Sequence, residues 1–161
     1  MIRQFVYRRE VSTPFEIRNG GPGILQLHEC PASALSMWGA LRASFGFRGA
    51  VKLLAKLATP SRRFYCILHE GEIVSHGFLS VSFCRFYPVE KGSIVIGPVW
   101  TRPECRGRGL ATRGLMGVIN AMVSHGLRVF YIDTSETNIA MQRVIAKCGF
   151  GVPIQEFTKK G

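Results

Sequence analysis

The sequence predicts an α/β (α+β) fold whose central sheet is mixed and mostly antiparallel. Three observations carry that expectation. Residues 63–101 read as short apolar strands joined by tight turns, the pattern of an antiparallel meander. Residues 93–115 read as a strand, a glycine-rich basic turn and a helix. Val129, Phe130, Tyr131 and Ile132 then form a near-continuous apolar run, typical of a parallel strand buried on both faces. At 161 residues and 47% hydrophobic content, the chain fits a single domain, residues 1–161, with a sizeable core.

Each element has a local cause. Ile2, Phe5, Val6 and Tyr7, interleaved with Arg3, Arg8 and Arg9, predict a first strand within residues 1–17. Asn19-Gly20-Gly21-Pro22-Gly23 is a turn signal, followed by a short strand over 24–28. Residues 31–57 read as helical, in two pieces divided near Phe45-Gly46-Phe47, with Ser33 as a cap for the first. Arg48, Lys52 and Lys56 recur every four residues opposite Val51, Leu53, Leu54 and Leu57. Such a stripe suits the solvated side of a packed helix, or a helix lying on a membrane surface. A strand over 63–69, the turn Glu70-Gly71-Glu72 and a partner over 73–83 make a hairpin. A helix over 110–125 puts Ala111, Leu115, Val118 and Met122 on one face and stops at Gly126. A strand over 128–133 and a helix over 138–148, closed by Gly149, follow. The remaining residues allow one short strand, so the last sheet edge is either abbreviated or completed by a second subunit in a homodimer.

Charge and composition limit the function classes. A net charge of +11 and a pI near 10.0 favour anionic partners. Nucleic acid is disfavoured, because no aromatic-basic recognition motif accompanies the charge. There is no run of about 18 uncharged apolar residues and no secretory hydrophobic segment, so a soluble, cytoplasmic protein is expected. Cys30, Cys66, Cys84, Cys105 and Cys148 are odd in number and scattered, without a Cys-x-x-Cys pair or histidine cluster. Neither a metal site nor a disulfide framework is expected. Cys105, beside the arginines of the turn, is at most reactive.

The glycine-basic turn is an anion site in outline. A helix start presents unpaired N–H groups and a partial positive charge, and glycines admit a phosphate close to the backbone. Arg102, Arg106, Arg108 and Arg113 crowd it. Arg106-Gly107-Arg108-Gly109-Leu110-Ala111, preceded by Pro103-Glu104, resembles the Arg/Gln-x-x-Gly-x-Gly/Ala signature of the GNAT N-acetyltransferase superfamily. The stretch from Asn138 to Gly149-Phe150 resembles that family's second signature. The resemblance covers roughly residues 94–150.

The resemblance implies the single-domain GNAT acyltransferase fold, with a splayed strand pair holding acetyl-CoA as cosubstrate. It implies backbone contacts to the pantetheine arm from Val99, Trp100 and Thr101. It implies a pyrophosphate cradle from Arg106, Gly107, Arg108, Gly109, Leu110, Ala111 and Thr112, and a further contact from Asn138, which doubles as a helix cap. In the family, the first two helices wall the acceptor site, which makes Trp38, Phe45 and Phe47 candidate lining residues.

The implied reaction is acetyl transfer to a primary amine of a small acceptor, anionic if the surface charge is a guide, such as an amino nucleotide sugar. Acetylation of a protein N-terminus or lysine is one alternative; a non-catalytic CoA-binding regulatory protein is another. A lysine-like amine costs about 4 kcal/mol to deprotonate at neutral pH, and an amine of pKa near 8 only about 1. A base is therefore useful. Asp133, at the end of the parallel strand, is the first candidate and His76 the second; Glu90 and Glu136 are weaker. The second signature commonly carries a tyrosine acid seven residues after the asparagine, where this chain has Ile145. Tyr131 and Ser135 are the substitutes considered for it.

Overall fold

The computed structural model describes residues 1–17 and 21–159. Its strands are β1 (Ile2–Glu10), β2 (Ile24–His28), β3 (Arg62–His69), β4 (Glu72–Val81), β5 (Ile94–Thr101), β6 (Val129–Ser135) and β7 (Gln155–Lys159). The helices are α1 (Pro31–Leu35), α2 (Trp38–Leu57), α3 (Leu110–Ser124) and α4 (Ile139–Lys147). Of the turn expected over residues 19–23, Asn19 and Gly20 lie outside the described residues.

One seven-stranded sheet runs in the order β2-β3-β4-β5-β6-β1-β7. Every pairing is antiparallel except β5 with β6, which is parallel as expected. That parallel register is short: Ile94, Val95 and Ile96 oppose Phe130, Tyr131 and Ile132, and pairing stops there. The cause lies in β5 itself. Between the pairs Leu79–Ile96 and Gly77–Val99, two residues of β5, Gly97 and Pro98, oppose the single residue Phe78 of β4. This is a bulge, which bends the strand that carries it. Gly97 takes φ +147°, a conformation open to glycine, and Pro98 has no N–H to continue a ladder. Beyond Ile96, β5 therefore diverges from β6 and leaves a slot in mid-sheet.

Two helical layers cover the faces. α3 lays Leu115, Val118, Ile119 and Met122 on Tyr65, Leu79, Ile94, Ile96, Phe130 and Ile132, and Ile145 of α4 joins that core. The opposite face packs Leu41, Ala50, Leu53 and Leu57 of α2 against Phe64, Cys66 and Ile73. The loop after β4 covers the remainder of that face, where Tyr87 meets Val6, Val95 and Tyr131.

Several expectations need correction. Ser33 does not cap α1: Cys30 occupies the N-cap position without a side-chain bond, and the Ser33 hydroxyl donates back to the Cys30 carbonyl at 2.8 Å. Residues 31–57 break once more than expected, between α1 and α2, in addition to the non-helical Gly46 (φ 67°) inside α2. Val51 is exposed rather than packed, because the buried face of α2 runs through Ala50, Leu53 and Leu57. The one short strand left for the end of the chain is β7, which pairs with the outer side of β1, while β1 lies beside β6. Among the described residues, no helix is long and apolar enough to cross a membrane.

Candidate active site

Two cavities meet at the slot. The first, about 330 Å³, lies between the start of α3 and α4, and is lined by Thr101, Arg106, Gly107, Gly109, Leu110, Ala111 and Thr112. α3 begins with Gly109 in the left-handed region (φ 73°), with no side-chain cap on its first amides. Uncapped first-turn N–H groups and the helix dipole make this end electropositive. A Cβ at Gly107 or Gly109 would meet nothing within 4 Å, so both glycines border open space. Arg106 is steadied at the rim by a bond from its Nε to the Thr101 carbonyl, 3.1 Å.

The other arginines of the turn are not gathered there. Arg102 pairs with Glu72. Arg113 donates to the carbonyls of Pro22 and Gly23, tying α3 to the chain before β2. Arg108 is exposed and lines neither cavity. The cations that do join Arg106 are Arg143 and Lys147 of α4. The readable signal for them was their four-residue spacing on the helix of the second signature. Among the described residues, no acidic side chain lines this cavity. Uncapped amides, open glycines and three cations suit a polyphosphate.

The second cavity, about 590 Å³, continues through the slot to the opposite side of the sheet. Val99, Asn138 and Met141 line both, so the two form one passage. Asn138 caps α4, its Oδ1 accepting from the Met141 amide at 3.1 Å, as well as facing the passage. Val99 and Thr101 line it, whereas strand alternation turns Trp100 the other way, onto His76, with ring centroids 5.2 Å apart.

Of the base candidates, only Asp133 lines the passage. Tyr87 donates to its Oδ1 at 3.2 Å and Lys159 pairs with its Oδ2 at 3.2 Å. The Tyr87 phenol is held protonated, pushed well above its ordinary pKa by burial and by the Asp133 charge. Glu90 is spent on Arg8 (2.6 Å) and Tyr131 (2.9 Å), and Glu136 on Arg3 (2.9 Å). Tyr131 is thereby withdrawn from the slot, while Ser135 lines it. Ile145 is fully buried in the main core, so a side chain at that position faces α3 rather than the passage. Trp38, Phe45 and Phe47 line neither cavity; Phe45 packs on His76 at 4.9 Å.

His76 sits among Phe45, Phe64, Phe78 and Trp100, away from the passage. Its burial pushes the imidazole pKa down to about 4. Between that value and the ordinary 6.5 the unfolded chain binds a proton that the folded chain refuses, so stability falls as pH drops through this window. The loss from His76 is expected to approach about 3 kcal/mol by pH 4. Denaturant unfolding at pH 7 and pH 4 should show it, and His76→Phe should flatten the difference; an equal slope in both proteins would remove this assignment.

The acetyltransferase (GNAT) family model matches residues 31–150, from α1 through the end of α4. The chain belongs to the GNAT acetyltransferase family. No curated protein matches the sequence. Solved GNAT structures share the fold at low identity. An acetyltransferase from Novosphingobium aromaticivorans matches at TM-score 0.62 and 19% identity, covering 96% of this chain and 61% of that one. This chain therefore spans less than two thirds of that neighbour's length. The aminoglycoside N-acetyltransferase AAC(6')-Iy, bound to a bisubstrate analogue of CoA and acetylneamine, matches at TM-score 0.64 and 16% identity over 86% of this chain and 98% of that one. The 6'-N-acetyltransferase AAC(6')-Ih from Acinetobacter baumannii matches at 0.59 and 15%, over 86% and 98%. In this GNAT chain the residues that matched the first signature sit at the start of α3, and Asn138 of the second lies across the passage from them.

Proposed function

We propose that this GNAT protein is an acetyl-CoA-dependent N-acetyltransferase acting on a primary amine of a small, anionic acceptor, for which an amino nucleotide sugar is the model. The observation that carries the reading is the single passage through the slot. At one end it has uncapped amides and three cations, and at the other a lone carboxylate, Asp133.

Acetyl-CoA, when bound, supplies a thioester-activated acetyl group. The α3 amides from Leu110 to Thr112, with Arg106, Arg143 and Lys147, are the residues suited to its phosphates. Backbone groups of Val99, Trp100 and Thr101, left without a strand partner on the β6 side, suit an extended arm. Asn138 and Met141 wall the narrow part of the passage. On the acceptor side, Asp133 is the carboxylate able to hold an ammonium and take its proton. His76 is a poor rival. It sits among Phe45, Phe64, Phe78 and Trp100 and lines neither cavity, so no amine in the passage reaches it. Ser135, which lines the cavity, is the hydroxyl assigned in this reading to protonate the departing thiolate.

The test is release of free thiol from acetyl-CoA in the presence of amino nucleotide sugars, aminoglycosides, polyamines, amino acids and short peptides, against a blank without acceptor. Release driven by an anionic amine is expected. Silence across the panel, with acetyl-CoA binding verified by thermal shift, would overturn the enzymatic reading, and release driven by peptides would move the acceptor class to protein termini or lysines.

A further inference from the structure

The acceptor end of the passage carries charge that the described residues do not neutralise. Its lining holds Arg62, Arg85 and Lys159 against one acid, Asp133. Lys159 and Asp133 pair with each other. Arg62 and Arg85 have no carboxylate partner among the described residues. Arg62 instead donates to the Ser80 hydroxyl, a neutral group, and lies over the ring of Phe83 at 5.5 Å. Arg85 lies over Phe86 at 5.9 Å. Both phenylalanines line the cavity, and each is 49% exposed. Large apolar rings left at a cavity mouth are the usual mark of a ligand surface. The two arginines and two rings come from two places, the start of β3 and the loop after β4, and converge on one cavity.

We infer that Arg62, Arg85, Phe83 and Phe86 form a clamp for an acceptor that joins a planar ring to an oxyanion, phosphate or carboxylate, as well as the amine. This inference rests on the reading of the passage as an acetyltransferase site and specifies what occupies its far end. Guanidinium groups bind oxyanions through paired N–H donors, and the half-exposed ring of Phe83, with Phe86 stacked on Phe157 at 5.7 Å, offers a planar ligand an apolar surface. The arrangement rejects the opposite charge type. An aminoglycoside is a polycation, and two uncompensated guanidinium groups would repel it.

The experiment is calorimetric titration of the protein saturated with CoA, so that the α3 site is filled before any probe is added. Four probes separate the contributions: uridine 5′-diphosphate (ring and phosphate), 4-hydroxyphenylacetate (ring and carboxylate), uridine (ring alone) and inorganic pyrophosphate (phosphate alone). One of the first two is expected to bind at least about tenfold more tightly than either of the last two, and which one binds names the oxyanion. Arg62→Gln and Arg85→Gln are each expected to weaken it about tenfold or more with CoA affinity unchanged. Arg85 is exposed, so Arg85→Gln retains the fold even if Arg62→Gln does not. Binding of both ring–oxyanion probes no tighter than that of uridine or of pyrophosphate, no probe binding at all, or an unaffected Arg85→Gln variant would each overturn the clamp. Failure of CoA itself to bind would instead sink the acetyltransferase reading, and the clamp with it.

Discussion

Gly109→Glu is expected to weaken acetyl-CoA binding by roughly 100-fold or more while the protein stays folded. The new side chain starts from the left-handed residue before α3, where a Cβ meets nothing within 4 Å and so reaches into the cavity. It replaces a field that favours anions with a carboxylate. At 4 Å from a phosphate and the intermediate dielectric of a protein surface, that repulsion is about 4 kcal/mol, more than the 100-fold requires. The backbone cost is smaller, about 1–2 kcal/mol for a side chain at positive φ. Gly109→Ala bears the backbone cost without the charge and separates the two: it should bind within a few-fold of the parent. Calorimetry on all three proteins decides the matter, and parent-like affinity in Gly109→Glu would show that the phosphates lie elsewhere.

The second large effect is expected at Asp133. Asp133→Asn should lower kcat/KM by about 100-fold or more below the pKa of the acceptor amine, the usual scale for loss of a positioned base. Asparagine preserves the acceptor oxygen for Tyr87, so the local packing that holds Tyr87 against Tyr131 and Phe157 is retained. The shape of the pH profile is more diagnostic than its height. Without a base, the rate follows the fraction of amine already free in solution and rises about tenfold per pH unit until the amine's own pKa. The parent should be flatter over the same range. A variant that keeps the parent's rate and profile would exclude Asp133 as the base.

Local elements of this chain were legible because their signals are local. The β3–β4 hairpin, the strand-turn-helix of β5 and α3, and the Asn138-capped α4 each rest on periodicity, glycine and a capping residue within one short window. Partnership was not legible in that way. Four arginines near the phosphate turn are indistinguishable in sequence, yet Arg102 answers to Glu72 and Arg113 to the Pro22 and Gly23 carbonyls, while two α4 cations face the cavity. The insertion of β1 between β6 and β7 depends on pairings between the two ends of the chain, which no window reveals. Gly97-Pro98 is a visible signal for a bulge inside an apolar strand. The Phe83–Phe86 segment carried no pattern at all; its role depends on the cavity that folding brings it to.

The short parallel seam also has a mechanical consequence. Among the described residues, three residue pairs are the only sheet register joining β2-β3-β4-β5 to β6-β1-β7. Past that seam, the amides of β5 and β6 that face each other have no ladder partner, and they belong to the same two strands whose other edges are paired apart from the bulge at Gly97-Pro98. Backbone protection should therefore differ between the two edges of one strand, with the lowest local opening energy in the molecule's middle rather than at its rim. An extended ligand arm lying in the slot would act as an eighth, non-covalent strand. Occupancy would then couple the two half-sheets into a single cooperative unit and raise the unfolding temperature with ligand concentration.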